Sequence, residues 1–300
     1  AGLGDPDGTG RTSGQPGCWL RPWGTTPGKL SALLVALVGV LLTTPLAAVA
    51  APTTVGYRDF SYGNSVTAPT GQKPESKLWL NDGSWWACLW SVDAQAYTIQ
   101  ELDPGSETWI GSEVENDPRP TSRAACLWDG TQLLVWSHRW AAGGGEAGHP
   151  LVVYRFDYDP LARRYQLEPG FPVEIADSSA ETAVIDRDST GTLWGVWIEG
   201  LRVRMTRTLG GDDRAWRTPA IHPQNTSSVT TDDVAALVHF DGDKIGVMWS
   251  DQVSYTYWFS FHEDGDPETF WSAPVPILEG IGDDHINLKA AADGRLFAAL

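Results

Sequence analysis

Acidic residues recur at one kind of place in this chain. Glu75, Glu181, Asp232 with Asp233, and Asp283 with Asp284 and His285 each stand a few residues ahead of an apolar run that ends in a glycine turn, and Ser122 holds the matching place of a fifth run. Carboxylates that converge can ligate a hard cation such as Ca2+ through oxygen. They can also serve as the acid and base that cleave a glycosidic bond, where their separation sets the stereochemistry. The same residue types cap turns by bonding nearby backbone. For catalysis the pattern nominates Glu181, Asp233 and Asp284; for ligand binding it nominates Glu75, Asp232, Asp283 and His285.

Other chemistries find little support. The stretches 186–191 (DRDSTG) and 263–266 (EDGD) space their aspartates somewhat as calcium loops do, but neither supplies the terminal bidentate acid, and both read as turns. His138, His149, His222, His239, His262 and His285 show no spacing of the His-x-x-x-His or His-Glu-x-x-His kind. No Gly-x-Ser-x-Gly elbow and no phosphate-cradling loop appears. No metal-ligating set is nominated, and no cofactor is expected beyond Ca2+ at converging carboxylates.

Positioning the acids falls to a repeated phrase. KLWLNDGSWWACLWS at 77–91 reads as a β-hairpin whose Asp82-Gly83 turn tolerates the positive φ a tight reversal demands. It returns as RAACLWDGTQLLVWS at 123–137, TAVIDRDSTGTLWGVWI at 182–198, VAALVHFDGDKIGVMWS at 234–250 and INLKAAADGRLFAAL from 286. The turn glycines Gly83, Gly130, Gly191, Gly242 and Gly294 follow one another at 47, 61, 51 and 52 residues. A third, alternating strand is expected at 96–102, 152–156, 201–205 and 255–261. An aromatic-led fourth is expected at 108–110, 164–167, 215–217 and 270–272. The longest interval holds a glycine-rich insertion at 140–150.

Four short strands per unit of about fifty residues predict an all-β fold, a β-propeller with four full blades and the start of a fifth over 77–300. A parallel β-helix has shorter rungs than this period. A blade cannot bury both of its faces alone, so closure at perhaps six to eight blades, with chain continuing past Leu300, is the expectation. The sixteen tryptophans are assigned to packing between blades, a role their large apolar bodies suit.

The ends and the charge bound the rest. Residues 1–28 lack periodicity and read as unstructured or as a mis-assigned start. Residues 29–50 carry a basic flank, an apolar core at 30–42, Pro45 and a small-residue ending, the pattern of a signal peptide cleaved after Ala50. An N-terminal membrane anchor is the alternative. Residues 51–76 form a lead-in with one short strand around 57–62. The chain is thus expected to be secreted, with no membrane span once the signal is removed. The net charge is −17, which repels phosphate backbones, and no nucleic-acid partner is expected. Cys88 and Cys126 occupy apolar strand positions in neighbouring units; they are read as buried free thiols, with a disulfide as the alternative.

The phrases KPESKLWLNDGSWWACLWS at 73–91 and GDDHINLKAAADGRLFAAL at 282–300 resemble secreted bacterial proteins of the sialidase-like, more broadly Asp-box-like, β-propeller superfamily. The resemblance implies the propeller fold over 73–300 and, in sialidases, three arginines around a carboxylate, a Tyr–Glu nucleophile pair and an acid Asp. The Phe/Tyr-Arg-Ile-Pro motif that supplies the first arginine is absent, 57–60 (YRDF) standing nearest, and the Asp-box spacing is not matched at 186–194. The expectation is therefore an exported, non-catalytic propeller that binds an extracellular glycan or protein at its channel mouth. The alternative is a glycoside hydrolase or lyase using two of the mouth carboxylates, with Glu181 and Asp233 as the example.

Overall fold

A computed structural model describes residues 62, 63, 66, 69, 70, 73, 75–139, 150–177 and 180–300. The readings of 1–28, of the signal peptide at 29–50, of the strand around 57–62 and of the 140–149 insertion lie outside the described residues, apart from Tyr62 at the edge of that strand. Among the described residues there is no helix, and so none long and apolar enough to cross a membrane.

The hairpin that opens the repeat forms as its turn chemistry dictates. Strands β1 (Leu78–Asn81) and β2 (Ser84–Ser91) pair with Asn81 opposite Ser84, leaving a two-residue loop. Asp82 and Gly83 have φ of 51° and 75°, the double positive φ of a turn that matches strand twist. β3 (Ala96–Asp103) and β4 (Thr108–Asp117) complete an antiparallel sheet in the order β1-β2-β3-β4.

Three more blades repeat this plan. The second holds β5 (Arg123–Trp128), β6 (Gln132–His138), β7 (Pro150–Asp159), β8 (Arg164–Leu167) and β9 (Val173–Asp177). The third holds β10 (Ala183–Arg187), β11 (Leu193–Glu199), β12 (Arg202–Leu209), β13 (Asp212–Trp216) and β14 (Ala220–Ile221). The fourth holds β15 (Ala235–Phe240), β16 (Lys244–Asp251), β17 (Thr256–Glu263) and β18 (Val275–Glu279). β19 (Asn287–Ala290) and β20 (Leu296–Ala299) make the hairpin of a fifth.

The outer strand corrects one sequence expectation. Residues 270–272 are not a strand; the fourth strand of blade 4 is Val275–Glu279. The reason lies in the prolines. Pro172, Pro219 and Pro274 each stand one residue before β9, β14 and β18, and a proline, which has no N–H to give the ladder, is confined to edge strands, strand starts and bulges. The outer strand is thus split in blades 2 and 3, and in blade 4 only its second half is regular. The aromatic ahead of the break packs inward instead, and Trp271 is buried against Trp194 of blade 3, ring centroids 5.8 Å apart.

The blades stand face to face. On β6, Leu133 and Val135 pack with Trp86, Cys88 and Ile99 of blade 1, whereas Leu134 and Trp136 pack with Ala183, Leu193 and Trp197 of blade 3. Alternate side chains of a strand point to opposite faces, so one strand feeds two cores, and the middle strands are buried without interruption. Two further clusters join blade 3 to blade 4 and blade 4 to the hairpin of the fifth. Cys88 and Cys126 are both buried and free. The Cys126 thiol bonds Cys88 and helps hold its pKa below the ordinary thiol value, while burial pushes Cys126 up.

The first strands of successive blades lie side by side, β1 by β5, β5 by β10, β10 by β15 and β15 by β19. Four of them, β5, β10, β15 and β19, with Ser76 ahead of β1, line a channel of about 200 Å³.

One contact fixes the spacing of blades 2 and 3. A Cβ added to Gly195 would lie 2.0 Å from the ring of Trp136, so only glycine admits the indole there. Gly195→Ala should destabilise the protein by about 1–3 kcal/mol through overpacking, read as a lower midpoint in urea unfolding. Gly191→Ala, at an open turn with φ of 88°, pays only for backbone strain and serves as the control.

Candidate functional site at the channel mouth

The chain enters each inner strand at the same end of the channel, which brings residues from distant parts of the sequence together. The nearest oxygens of Glu181, Asp232 and Asp284, from the entrances to blades 3, 4 and 5, all lie within 4.8 Å of one another. Lys73, ahead of blade 1, reaches across the mouth to the same group. Its Nζ is 3.4 Å from Glu181 Oε1 and in direct contact with Asp284 Oδ2, and its side chain is only 9% exposed.

Glu181 is the most constrained of the three. Its residue is 4% exposed, Arg123 Nη1 donates to its carbonyl at 2.6 Å and lies 3.7 Å from Oε1, and Oε2 has no hydrogen-bond partner. Burial pushes its carboxyl above the ordinary glutamate range and the Asp232 charge adds to this, against the pull of Lys73 and Arg123. Asp232 is exposed at the rim, and its own N–H is held by Thr230 Oγ1 at 3.3 Å. Asp284 is half-buried and its Oδ1 lies 2.6 Å from His285 Nδ1.

The remaining nominated residues do other work. Asp233 is fully buried and spent on its turn: Oδ1 accepts from Ser250 Oγ at 2.7 Å and from the Gln252 N–H at 3.1 Å, and Oδ2 accepts from the Thr230 N–H at 2.6 Å. Its neighbour Asp232 is the one that joins Glu181. Glu75 lies beneath the mouth, its Oε1 2.9 Å from His138 Nε2, while His138 Nδ1 donates to the Ala180 carbonyl at 2.9 Å. Asp283 is exposed and accepts the Asp284 N–H at 2.8 Å; its own N–H goes to Tyr257 Oη at 3.0 Å. Asp283, Asp284 and His285 also offer three ligand atoms within 4.8 Å, two of them on exposed residues. Ser122 is buried.

Both calcium-like loops are turns in the structure. Asp188 Oδ1 accepts from Thr190 N, Thr190 Oγ1 and Thr192 N at 2.9, 2.7 and 2.9 Å, and Oδ2 accepts from Trp194 Nε1 at 2.7 Å. Asp264 ties blade 4 to blade 3 by accepting the Ser189 N–H at 3.0 Å.

Three residues of the mouth carried no repeated signal: Lys73, Arg123 and His138. Lys73 lies in the lead-in, outside the repeat, and its partners are more than a hundred residues away. Chemically the mouth can do two things. Its three carboxylates suit a hard cation: Ca2+–O bonds of about 2.3–2.6 Å let one ion reach oxygens so spaced, in the place Lys73 Nζ takes here. Alternatively, a carboxyl that keeps its proton beside one that faces solvent forms an acid and its partner.

No family model matches the chain, and no curated protein matches it. Among solved structures, a mutant of AofleA from Arthrobotrys oligospora aligns at 14% identity and a TM-score of 0.48, covering 76% of this chain and 64% of that one. An ulvan lyase described as a new family of polysaccharide lyase aligns at 10% and 0.47, covering 78% and 65%. An exo-β-1,3-galactanase from Phanerochaete chrysosporium aligns at 12% and 0.41, covering 71% and 52%. The chain spans less than two thirds of the length of each of these proteins.

Glu181 carries a pH dependence of known sign. Because its folded pKa lies above the ordinary 4.5, its share of stability is complete below that value and is lost as pH rises through the folded pKa. Carboxyl 13C NMR should place its midpoint above 4.5. Asp232→Asn should lower the midpoint and Lys73→Met should raise it; no movement in either variant would separate Glu181 from the cluster.

Proposed function

We propose that the chain cleaves a glycan at the mouth of its channel, as a glycoside hydrolase in which Glu181 is the general acid and Asp232 its carboxylate partner. One observation carries this reading: Glu181 brings a buried carboxyl, its Oε2 unpartnered and its pKa raised, to within 4.8 Å of a rim carboxylate from the next blade. Enzymes tune a carboxylic acid in this way, by burial and a neighbouring charge, so that it still holds its proton at working pH. Lys73 and Arg123 supply positive charge to the same cluster, which stabilises the ionised Glu181 once its proton has gone to the leaving oxygen.

The spacing also bears on the stereochemical course. Inverting enzymes leave about 6.5–9.5 Å between carboxyls for a water, whereas retaining ones hold them about 5–5.5 Å apart so that one attacks the sugar. Nearest oxygens within 4.8 Å of one another support the close arrangement, in which Asp232 is the nucleophile and the configuration is retained. The N-terminal pattern at 29–50 supports export, and the substrate is then an extracellular glycan.

A second reading rests on Lys73. Its ammonium lies among the acids and ties Glu181 to Asp284, an arrangement suited to holding a sugar's hydroxyls without cleaving it. A panel of oligosaccharides separates the two. The hydrolase reading expects cleavage with retained anomeric configuration by 1H NMR, and a fall in kcat of about 10²–10⁴ in Glu181→Gln with binding kept. A wild-type chain that binds glycans and cleaves none leaves only the binding reading, and inversion overturns the role given to Asp232.

A further inference from the structure

We propose that the outer groove between blades 3 and 4 is a second binding site, for a small carboxylate carried on a body with an apolar face. The groove exists because the outer strand of blade 3 is broken. β13 leaves the ladder at Trp216 and β14 rejoins it at Ala220, and Arg217 between them is fixed in a bulge, its N–H donating to the Arg207 carbonyl at 3.0 Å and its carbonyl accepting from Thr206 Oγ1 at 2.7 Å. The connection between β17 and β18 of blade 4 closes the other side with Glu268. The cavity left is about 80 Å³, several times the roughly 10–15 Å³ that one water needs.

Its wall is apolar, formed by Met205, Ile221 and Trp194, and the indole is held in place by its N–H to Asp188 at 2.7 Å. The polar groups at the rim do not balance. Arg207 Nε lies 3.0 Å from Glu268 Oε2, and Arg217 Nη1 contacts that same oxygen, so two guanidiniums share one carboxylate and one positive charge is left over. Each guanidinium has five N–H donors in a planar fork. Among the described residues, Arg207 gives one bond beyond Glu268, to the Thr208 carbonyl at 3.4 Å. Arg207 also lies over the Trp194 ring, 5.7 Å from its centroid, which keeps the fork at the edge of the apolar wall. In a chain of net charge −17, this is a local surplus of cation beside an apolar cavity. A carboxylate accepts a guanidinium fork bidentately, and the body attached to it would lie on Ile221 and Met205. No lining residue belongs to the channel mouth, so the site stands or falls independently of the hydrolase reading.

Two sources share this chemistry, a short aliphatic acid and the uronic residue of an acidic sugar. Titration calorimetry on the full chain with butyrate, glucuronate, butanol and glucose distinguishes them. One of the two carboxylates is expected to bind, its neutral counterpart at least about tenfold more weakly. Arg217→Ala is expected to lose about tenfold in affinity, and Arg217→Lys, which keeps the charge and removes the fork, to lose part of it. Preference for butyrate assigns an aliphatic acid, and preference for glucuronate a sugar acid. The site is overturned if neither carboxylate binds at about 10 mM, if neutral and charged probes bind alike, or if Arg217→Ala, melting at the wild-type temperature, binds as well as wild type. Should Arg217→Ala fail to fold, Arg217→Lys with Ile221→Trp, which fills the cavity, gives the same decision: unchanged binding in both overturns the site.

Discussion

Everything in this molecule depends on a sheet having two faces and a blade having no interior of its own. Trp136 shows how the need is met. Its indole is fully buried, 5.9 Å from the ring of Trp197 and 5.4 Å from that of Trp216 in the next blade, and it fits only because position 195 lacks a side chain. Truncating such a buried tryptophan costs about 3–5 kcal/mol, a large part of the net stability of a domain. Because each blade is locked against the next by contacts of this kind, the entrances of the inner strands are set in space by packing alone. The mouth inherits its geometry from the core.

That inheritance explains the electrostatic tension at the mouth. Glu181 is carried into a place with little water by the strand it precedes, and burial works against its charge. Lys73 and Arg123 offset part of the penalty, but Oε2 stays without a partner. Functional groups are often found where local rules are broken and the surrounding fold compensates.

Much of the architecture was legible in the sequence because it rests on local chemistry. Asp82-Gly83 predicts its own turn, alternation predicts which strand residues are core, and the aligned valines at 135, 196 and 247 predict that Cys88 is buried. In blade 4 the outer strand is not legible from Trp271, which marks packing and not a strand; Pro172, Pro219 and Pro274 are the better signal. The mouth was legible only as a set of entrances. Which of two adjacent aspartates faces the channel turns on one residue of alternation: Asp233 went to Ser250 and Thr230, and Asp232 to the rim. Lys73 could not be found from repeats, since it occurs once and acts across the channel.

The central claim is that residues from the lead-in, blade 3 and blade 5 form one coupled site rather than separate solvated turns. A double-mutant cycle of Lys73→Met and Asp284→Asn, read by urea unfolding at neutral pH, tests it directly. A single coupled site predicts an interaction energy of about 1 kcal/mol or more, as for groups within one buried ion-pair network. Effects that add to within about 0.3–0.5 kcal/mol would mean that Lys73 and Asp284 do not meet and that the mouth is not a site.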